Sequence, residues 1–426
     1  MRPQVLAAAF LLMLSGALAE EAPIRRIWED FQSQLPPLTP RITRDEVVTS
    51  DVAPRVRLRR VHVTFVSQYV ENGSPLTHHA VIFAPERIAP ENRGKVVIVG
   101  SIAGPFQKSF EINYGQPMAA LLGYPTMILP NPGETPDRPD REWSIRYLLD
   151  LPREQRRVTD HYFFRLAIPY LRAMDVFADV LKLPRGDIRA VVGGHSKRAP
   201  SAYTAAAIDP ARVAGVVFMG MEGRWSRPTG GPFDAVSPLF NSRFVKCPTL
   251  YLGATNEDGY TMFNVTHNQS LLEQPWTVSM VPNYRHAAES PQQFLIWRMW
   301  AAHCLSGRPV ARVWDATHEE TPEGTHFRAR IVDPNVIVQV RAWYAYCDDV
   351  PLWRDLVWYP VLMHPKEGDL WEGYERGRTP DAWMVEVEDV GGGVHGYVTS
   401  CPQNITGKEA RERTSRGSRS RHWEEK

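Results

Sequence analysis

The stretch that most constrains this chain is Asp187–Pro200, which reads DIRAVVGGHSKRAP. Ile188–Val192 is apolar but for Arg189, and it predicts a buried strand. It breaks at Gly193 and Gly194, passes Ser196 and continues as the alanine-rich run Lys197–Ile208, which predicts a helix. Strand, glycine turn, serine and helix in that order form the layout of a nucleophile elbow. The turn strains the serine backbone, so a small residue is needed two positions before it, and Gly194 stands there. The general pattern G-x-S-x-G has its second glycine where this chain carries Arg198. A serine that merely caps the helix starting at Lys197 gives the same local string, so support must come from the rest of the chain.

That support is the order of the segments around it. Val56–Val70 and His79–Phe83 alternate loosely around Asn72-Gly73 and predict a hairpin. Lys95–Val99 (KVVIV) predicts a central parallel strand, followed by the loop SIAGPFQ; Gln116–Leu122 predicts a helix and Thr126–Leu129 a strand. Pro130–Asp140 is a proline-rich loop, and Asp160–Leu183 has apolar residues at helical spacing with a kink expected at Pro169. Beyond the elbow, Val213–Met219, Thr249–Ala254 and Trp276–Val281 predict three more strands, and Ser290–Cys304 a helix. Strands alternating with helices predict an α/β fold: a doubly wound, mostly parallel sheet covered on both faces, as in the α/β-hydrolases. Near Arg308 the period changes to two, most clearly over Val336–Tyr346, which predicts a β-sandwich-like C-terminal domain. The division expected is a signal peptide over 1–19, an extended N-terminal arm with a short helix over 20–55, an α/β-hydrolase domain over 56–306, a β-sandwich-like domain over 307–400 and a disordered tail over 401–426.

A serine nucleophile needs a base, and the base needs an orienting acid. In the α/β-hydrolase fold these follow the serine in the order acid, then histidine, each just beyond a strand. Here Thr255-Asn256-Glu257-Asp258-Gly259-Tyr260 follows the strand TLYLGA, and Pro282-Asn283-Tyr284-Arg285-His286 follows the strand WTVSMV. Asp258, with a glycine after it to help the turn, is the first choice of acid, Glu257 is its rival, and His286 is the base. Acyl transfer also requires N–H donors for an oxyanion. The backbone N–H of Lys197 is one candidate, and Ile102 or Ala103 in the loop after KVVIV supplies the other. His195 is read as a packing or hydrogen-bonding residue. Lys197 and Arg198 are read either as holding an anionic substrate group or as a salt bridge beneath the helix.

Composition narrows the class of function. The formal net charge of the 426 residues is +1, which argues against nucleic acid as the main partner. Arg2, the apolar run Val5–Leu14 and the A-x-A site Ala17-Leu18-Ala19 read as a signal peptide cleaved after Ala19, so the mature protein is expected to be secreted or periplasmic. No later stretch is long enough for a transmembrane helix. The four cysteines suit an oxidising compartment, with Cys247–Cys304 and Cys347–Cys401 the pairing that keeps each bridge within one domain. Sequons occur at Asn72, Asn264, Asn268 and Asn404. No Cys/His spacing suits a metal and no nucleotide-binding glycine loop occurs in context, so no metal and no cofactor are expected.

The segment GGHSKRAPSAYTAAAIDPARVAGVVFM resembles the nucleophile segment of the PhoPQ-activated pathogenicity-related proteins, whose elbow is of the type G-x-S-K-R-G. Ala199 stands where that pattern has glycine and Pro200 where it has tryptophan. LGATNEDGY and VPNYRHA are similar to the family's acid and histidine segments, and VRAWYAY with WRDLVW to its C-terminal domain, so the resemblance spans roughly residues 40–390. It implies an α/β-hydrolase core, an exported protein and a Ser196–Asp258–His286 triad. The expectation is therefore a secreted serine hydrolase acting on a small-molecule ester or peptide. The alternative is a secreted binding or signalling protein on an inactive hydrolase scaffold, meeting a protein partner through its C-terminal domain.

Overall fold

The computed structural model describes residues 21–69, 73–102, 105–131, 151–221, 223–257, 262–347 and 355–406. The expected signal peptide with its cleavage site at Ala19, Ala103, Asp258, most of the loop over 130–140 and the tail from 407 lie outside them.

The strands KVVIV, VVFM and TLYLGA are apolar on both faces, and such strands gain most from a sheet covered twice. They form β4 (Lys95–Ile102), β7 (Val213–Met219) and β8 (Thr249–Asn256). With β5 (Thr126–Asn131), β6 (Arg189–His195) and β9 (Thr277–Arg285) they make the parallel part of a nine-stranded sheet. The antiparallel part is β1 (Arg41–Thr49), β2 (Arg57–Tyr69) and β3 (Pro75–Pro85), and the order is β1-β2-β3-β5-β4-β6-β7-β8-β9. Apart from the added edge strand β1, this is the α/β-hydrolase topology.

Two helices, α4 (Tyr162–Leu181, preceded by α1 at Pro23–Gln32, α2 at Pro105–Phe110 and α3 at Gln116–Leu122) and α5 (Arg198–Ile208), cover one face. Pro169 sits inside α4 without ending it. The other face is covered by α3 and by a helix at Pro291–Ser306. Two short helices, α6 (Pro238–Asn241) and α7 (Phe263–Ser270), precede that last helix, α8. Its N-terminus is fixed by a Ser290–Gln293 capping box with Pro291 in the first turn, and its C-terminus by Gly307 at φ +74°.

The N-terminal arm does more than extend along the surface. Residues Arg41–Thr49 add β1 to the sheet edge, where Asp45 and Glu46 pair with Arg59 and Arg60 on β2. Beyond α8 the chain forms two further, antiparallel sheets, one of four strands and one of five. The strands that matter below are β12 (Val336–Ala345), β13 (Trp358–Leu362), β16 (Ala382–Gly391) and β18 (Gln403–Asn404). Because β18 pairs with β16, the ordered chain continues past 401, into what was expected to be tail.

The expected disulfides are not present: Cys247, Cys304, Cys347 and Cys401 all stand as thiols. Cys304 turns its sulfur onto the bare face of Gly215 in β7, where a Cβ would stand 2.3 Å away. Burial pushes the Cys247 thiol up to about 12 and that of Cys401 up to about 11, which keeps both protonated and unreactive. Two of the sequons are closed as well. Asn264 and Asn268 lie buried in α7, and the Asn268 side chain is bonded to Trp225 N and Gly223 O at 2.9 Å each. Among the described residues no helix is long and apolar enough to cross a membrane, and no group of three or more His, Cys, Asp or Glu side chains could hold a metal ion.

Candidate active site

Ser196 follows β6 directly and has φ +59°. A left-handed serine costs on the order of 1 kcal/mol, so surrounding contacts must hold it. Its N–H donates to Met219 O at 2.8 Å, and its carbonyl accepts from Ala199 N at 2.9 Å as α5 begins. Glycines make the close approach of these strands possible. A Cβ on Gly194 would lie 2.7 Å from Arg198 Cβ, and one on Gly100 would lie 2.0 Å from the Tyr170 hydroxyl. In that space Tyr170 donates to Gly193 O at 3.0 Å.

Arg198 is buried, at 2 % exposure. Its Nε donates to Ser101 O at 3.0 Å and its Nη1 to His195 O at 3.4 Å. It therefore braces the end of β4 against the elbow. Burial pushes its guanidinium down to about 9. Ile102 is the last residue of β4, paired with Asn131 of β5, and Lys197 is the N-cap residue of α5.

The carboxylate of Glu257 and the ring of His286 meet across the ends of β8 and β9, with His286 Nδ1 2.7 Å from Glu257 Oε2. Glu257 is buried at 4 % exposure, while the His286 side chain keeps 30 % of its surface exposed. An ionised carboxylate only accepts hydrogen bonds, so a neutral ring bonded this way carries its proton on Nδ1 and its lone pair on Nε2. The structure thus puts the rival acid, Glu257, on His286. The ring of His195, the residue before Ser196, lies 4.2 Å from the His286 ring, centroid to centroid. Ser196, Glu257 and His286 accordingly share the carboxyl-terminal edge of the sheet, after β6, β8 and β9.

His195 is half-buried, and its contact with His286 was missed in the sequence. Gly220, at φ +64°, leaves the room: a Cβ there would stand 2.5 Å from His195 Cδ2 and Nε2. A glycine directly after a buried strand was the available signal. Gly220→Ala is expected to cost about 2 kcal/mol by denaturant titration and to disturb His195. Gly230→Ala, at φ +81° with open space around it, is the control and should cost about 1 kcal/mol from backbone strain alone.

A second serine–histidine pair lies elsewhere. His78 Nε2 is 2.8 Å from Ser67 Oγ and Nδ1 is 3.1 Å from Pro130 O. Both residues are at most 1 % exposed, so no substrate reaches them.

No protein-family model matches the sequence, and no curated protein matches it. Among solved structures, an acetyl xylan esterase from Paenibacillus sp. R4 aligns at 15 % identity over 63 % of this chain and 91 % of its own, with a TM-score of 0.42. An S-formylglutathione hydrolase from Agrobacterium tumefaciens aligns at 14 % identity over 62 % and 99 %, with a TM-score of 0.42. A promiscuous CE15 esterase from a marine bacterial metagenome aligns at 11 % identity over 66 % and 91 %, with a TM-score of 0.39.

Proposed function

We propose that this protein is an exported serine hydrolase, transferring the acyl group of a small-molecule ester or peptide to water. The observation that carries the reading is the Glu257–His286 hydrogen bond of 2.7 Å on the same sheet edge as a serine held at φ +59°. Ser196 Oγ attacks the carbonyl carbon while His286 Nε2 takes its proton. Glu257 stabilises the imidazolium and fixes its tautomer, and the earlier preference for Asp258 gives way to it in this reading. The N–H of Lys197, with one from Ile102 or Ala103, faces the developing oxyanion. His286 returns the proton to the leaving group, and water then repeats the sequence on the acyl-enzyme. The resemblance of the elbow and histidine segments supports membership of the PhoPQ-activated pathogenicity-related family, and with it export.

The test is labelling with a fluorophosphonate, which reacts only with an activated serine, followed by mapping of the modified peptide. Ser196 is expected to carry the label, and Ser196→Ala to abolish both labelling and turnover of p-nitrophenyl acetate. Well-folded protein that takes up no label, or a Ser196→Ala variant that keeps turnover, refutes the assignment.

A further inference from the structure

The acid and the base are also tied, through their own strands, to the C-terminal domain. Pairing between β8 and β9 jumps from Ala254↔Val281 to Asn256↔Arg285, so β9 bulges over Pro282–Tyr284. Asn283 in that bulge has φ +54°, a conformation that asparagine tolerates better than most side chains. Its amide faces the first residue of β13: Nδ2 donates to Trp358 O at 2.8 Å and Oδ1 accepts from Trp358 N at 2.7 Å. This is the two-bond pattern of a strand pair, made by a side chain.

The Asn283 backbone N–H donates to Thr255 Oγ1 at 2.9 Å, and that hydroxyl donates to Asn256 Oδ1 at 2.6 Å. Asn256 Nδ2 donates in turn to Leu356 O at 2.6 Å. Thr255, Asn256, Leu356 and Trp358 are all below 8 % exposure. The residues immediately before Glu257, and the residue three before His286, are thus joined to one another and to a single segment, Leu356–Trp358. Hydrogen bonds so shielded from water are costly to leave unmade.

We propose that the C-terminal domain is a working part of the catalytic centre, and that Asn283 is the positioning residue through which Leu356–Trp358 holds His286 against Glu257. The proposal rests on the serine-hydrolase reading. Asn283 touches no reacting atom; it sets where β9 ends, and therefore where the base stands. A displacement of about 1 Å in such a group costs on the order of 10²-fold in rate.

Three variants of the full chain test it. Asn283→Gly keeps the left-handed backbone and removes the amide. Asn283→Asp keeps the backbone and the acceptor for Trp358 N, but not the donor. Asn283→Ala loses both the amide and the backbone tolerance. Asn283→Gly is expected to slow fluorophosphonate labelling of Ser196 by about 30- to 100-fold and to lower kcat on p-nitrophenyl acetate with KM little changed. Asn283→Asp should recover part of the loss, and Asn283→Ala should be the most damaged. The second readout needs no turnover: the low-field proton resonance of His286 Nδ1–H, identified by its absence in Glu257→Gln, should broaden or vanish in Asn283→Gly. A folded Asn283→Gly protein with wild-type labelling and an unchanged resonance overturns the proposal. Should the wild-type protein take up no label, the hydrolase reading fails, and the resonance alone decides whether the clasp positions His286.

Discussion

Glu257→Gln is expected to lower the rate of fluorophosphonate labelling and of ester turnover at neutral pH by about 10⁴-fold, with the protein still folded. The expectation follows from the tautomer. Glu257 Oε2 accepts from His286 Nδ1 at 2.7 Å, and this bond keeps Nε2 free to take the serine proton. A glutamine of the same shape presents an amide as readily as a carbonyl. When the amide faces Nδ1, the ring must carry its proton on Nε2, and the base is lost. The charge that would stabilise an imidazolium is lost at the same time. Asp258→Asn, one residue further on, is expected to stay within about tenfold of wild type. Measuring both variants side by side is decisive: a collapse in Asp258→Asn with near-normal rates in Glu257→Gln would return the acid's role to Asp258.

The difference between those neighbours shows where sequence stops being informative. The strand TLYLGA could be read because eight consecutive positions of β8 are buried, and burial on both faces leaves a continuous apolar run. The order serine, acid, histidine could be read because it follows the order of the strands. Which of two adjacent carboxylates meets His286 depends instead on the β9 bulge over Pro282–Tyr284, and the hydrogen-bond partner of that bulge, Trp358, lies on β13, 75 residues from Asn283. Such long-range placement leaves no periodic trace. The same holds for His195, which has room beside His286 because Gly220, just after the neighbouring strand, lacks a side chain. The edge strand β1 escaped notice because its exposed face is charged, and Arg41–Thr49 reads as a polar arm until Asp45 and Glu46 are seen against Arg59 and Arg60. The cysteine pairing failed for a related reason: cysteine count and compartment say nothing about where a sulfur points.

The fold itself is expected to lose stability as pH falls below about 6.5. Burial pushes His78 down to about 4 and His161 and His195 each down to about 3, so all three are neutral in the folded protein at pH 5. Their hydrogen bonds fit the neutral ring. His161 Nδ1 accepts from Phe163 N at 3.1 Å to cap α4, and His78 is held between Ser67 and Pro130. In the unfolded chain the same groups titrate near 6.5. Between about pH 6.5 and the folded values the unfolded state therefore binds protons that the native state does not, and stability falls as pH falls. Each histidine costs about 2 kcal/mol at pH 5, or about 6 kcal/mol together, against the 5–15 kcal/mol typical of a folded domain. Asp333 acts in the opposite sense. Burial raises its carboxyl to about 6, so the native state takes up that proton first and offsets part of the loss. Denaturant titrations at pH 7.5, 6 and 5 should show a flat upper limb and a drop of several kcal/mol below 6.5. His78→Gln should be less stable than wild type at pH 7.5 yet lose about 2 kcal/mol less on going to pH 5. Equal wild-type stability at pH 7.5 and pH 5 would show that these rings take up protons without unfolding, and that the burial around them opens to water at little cost.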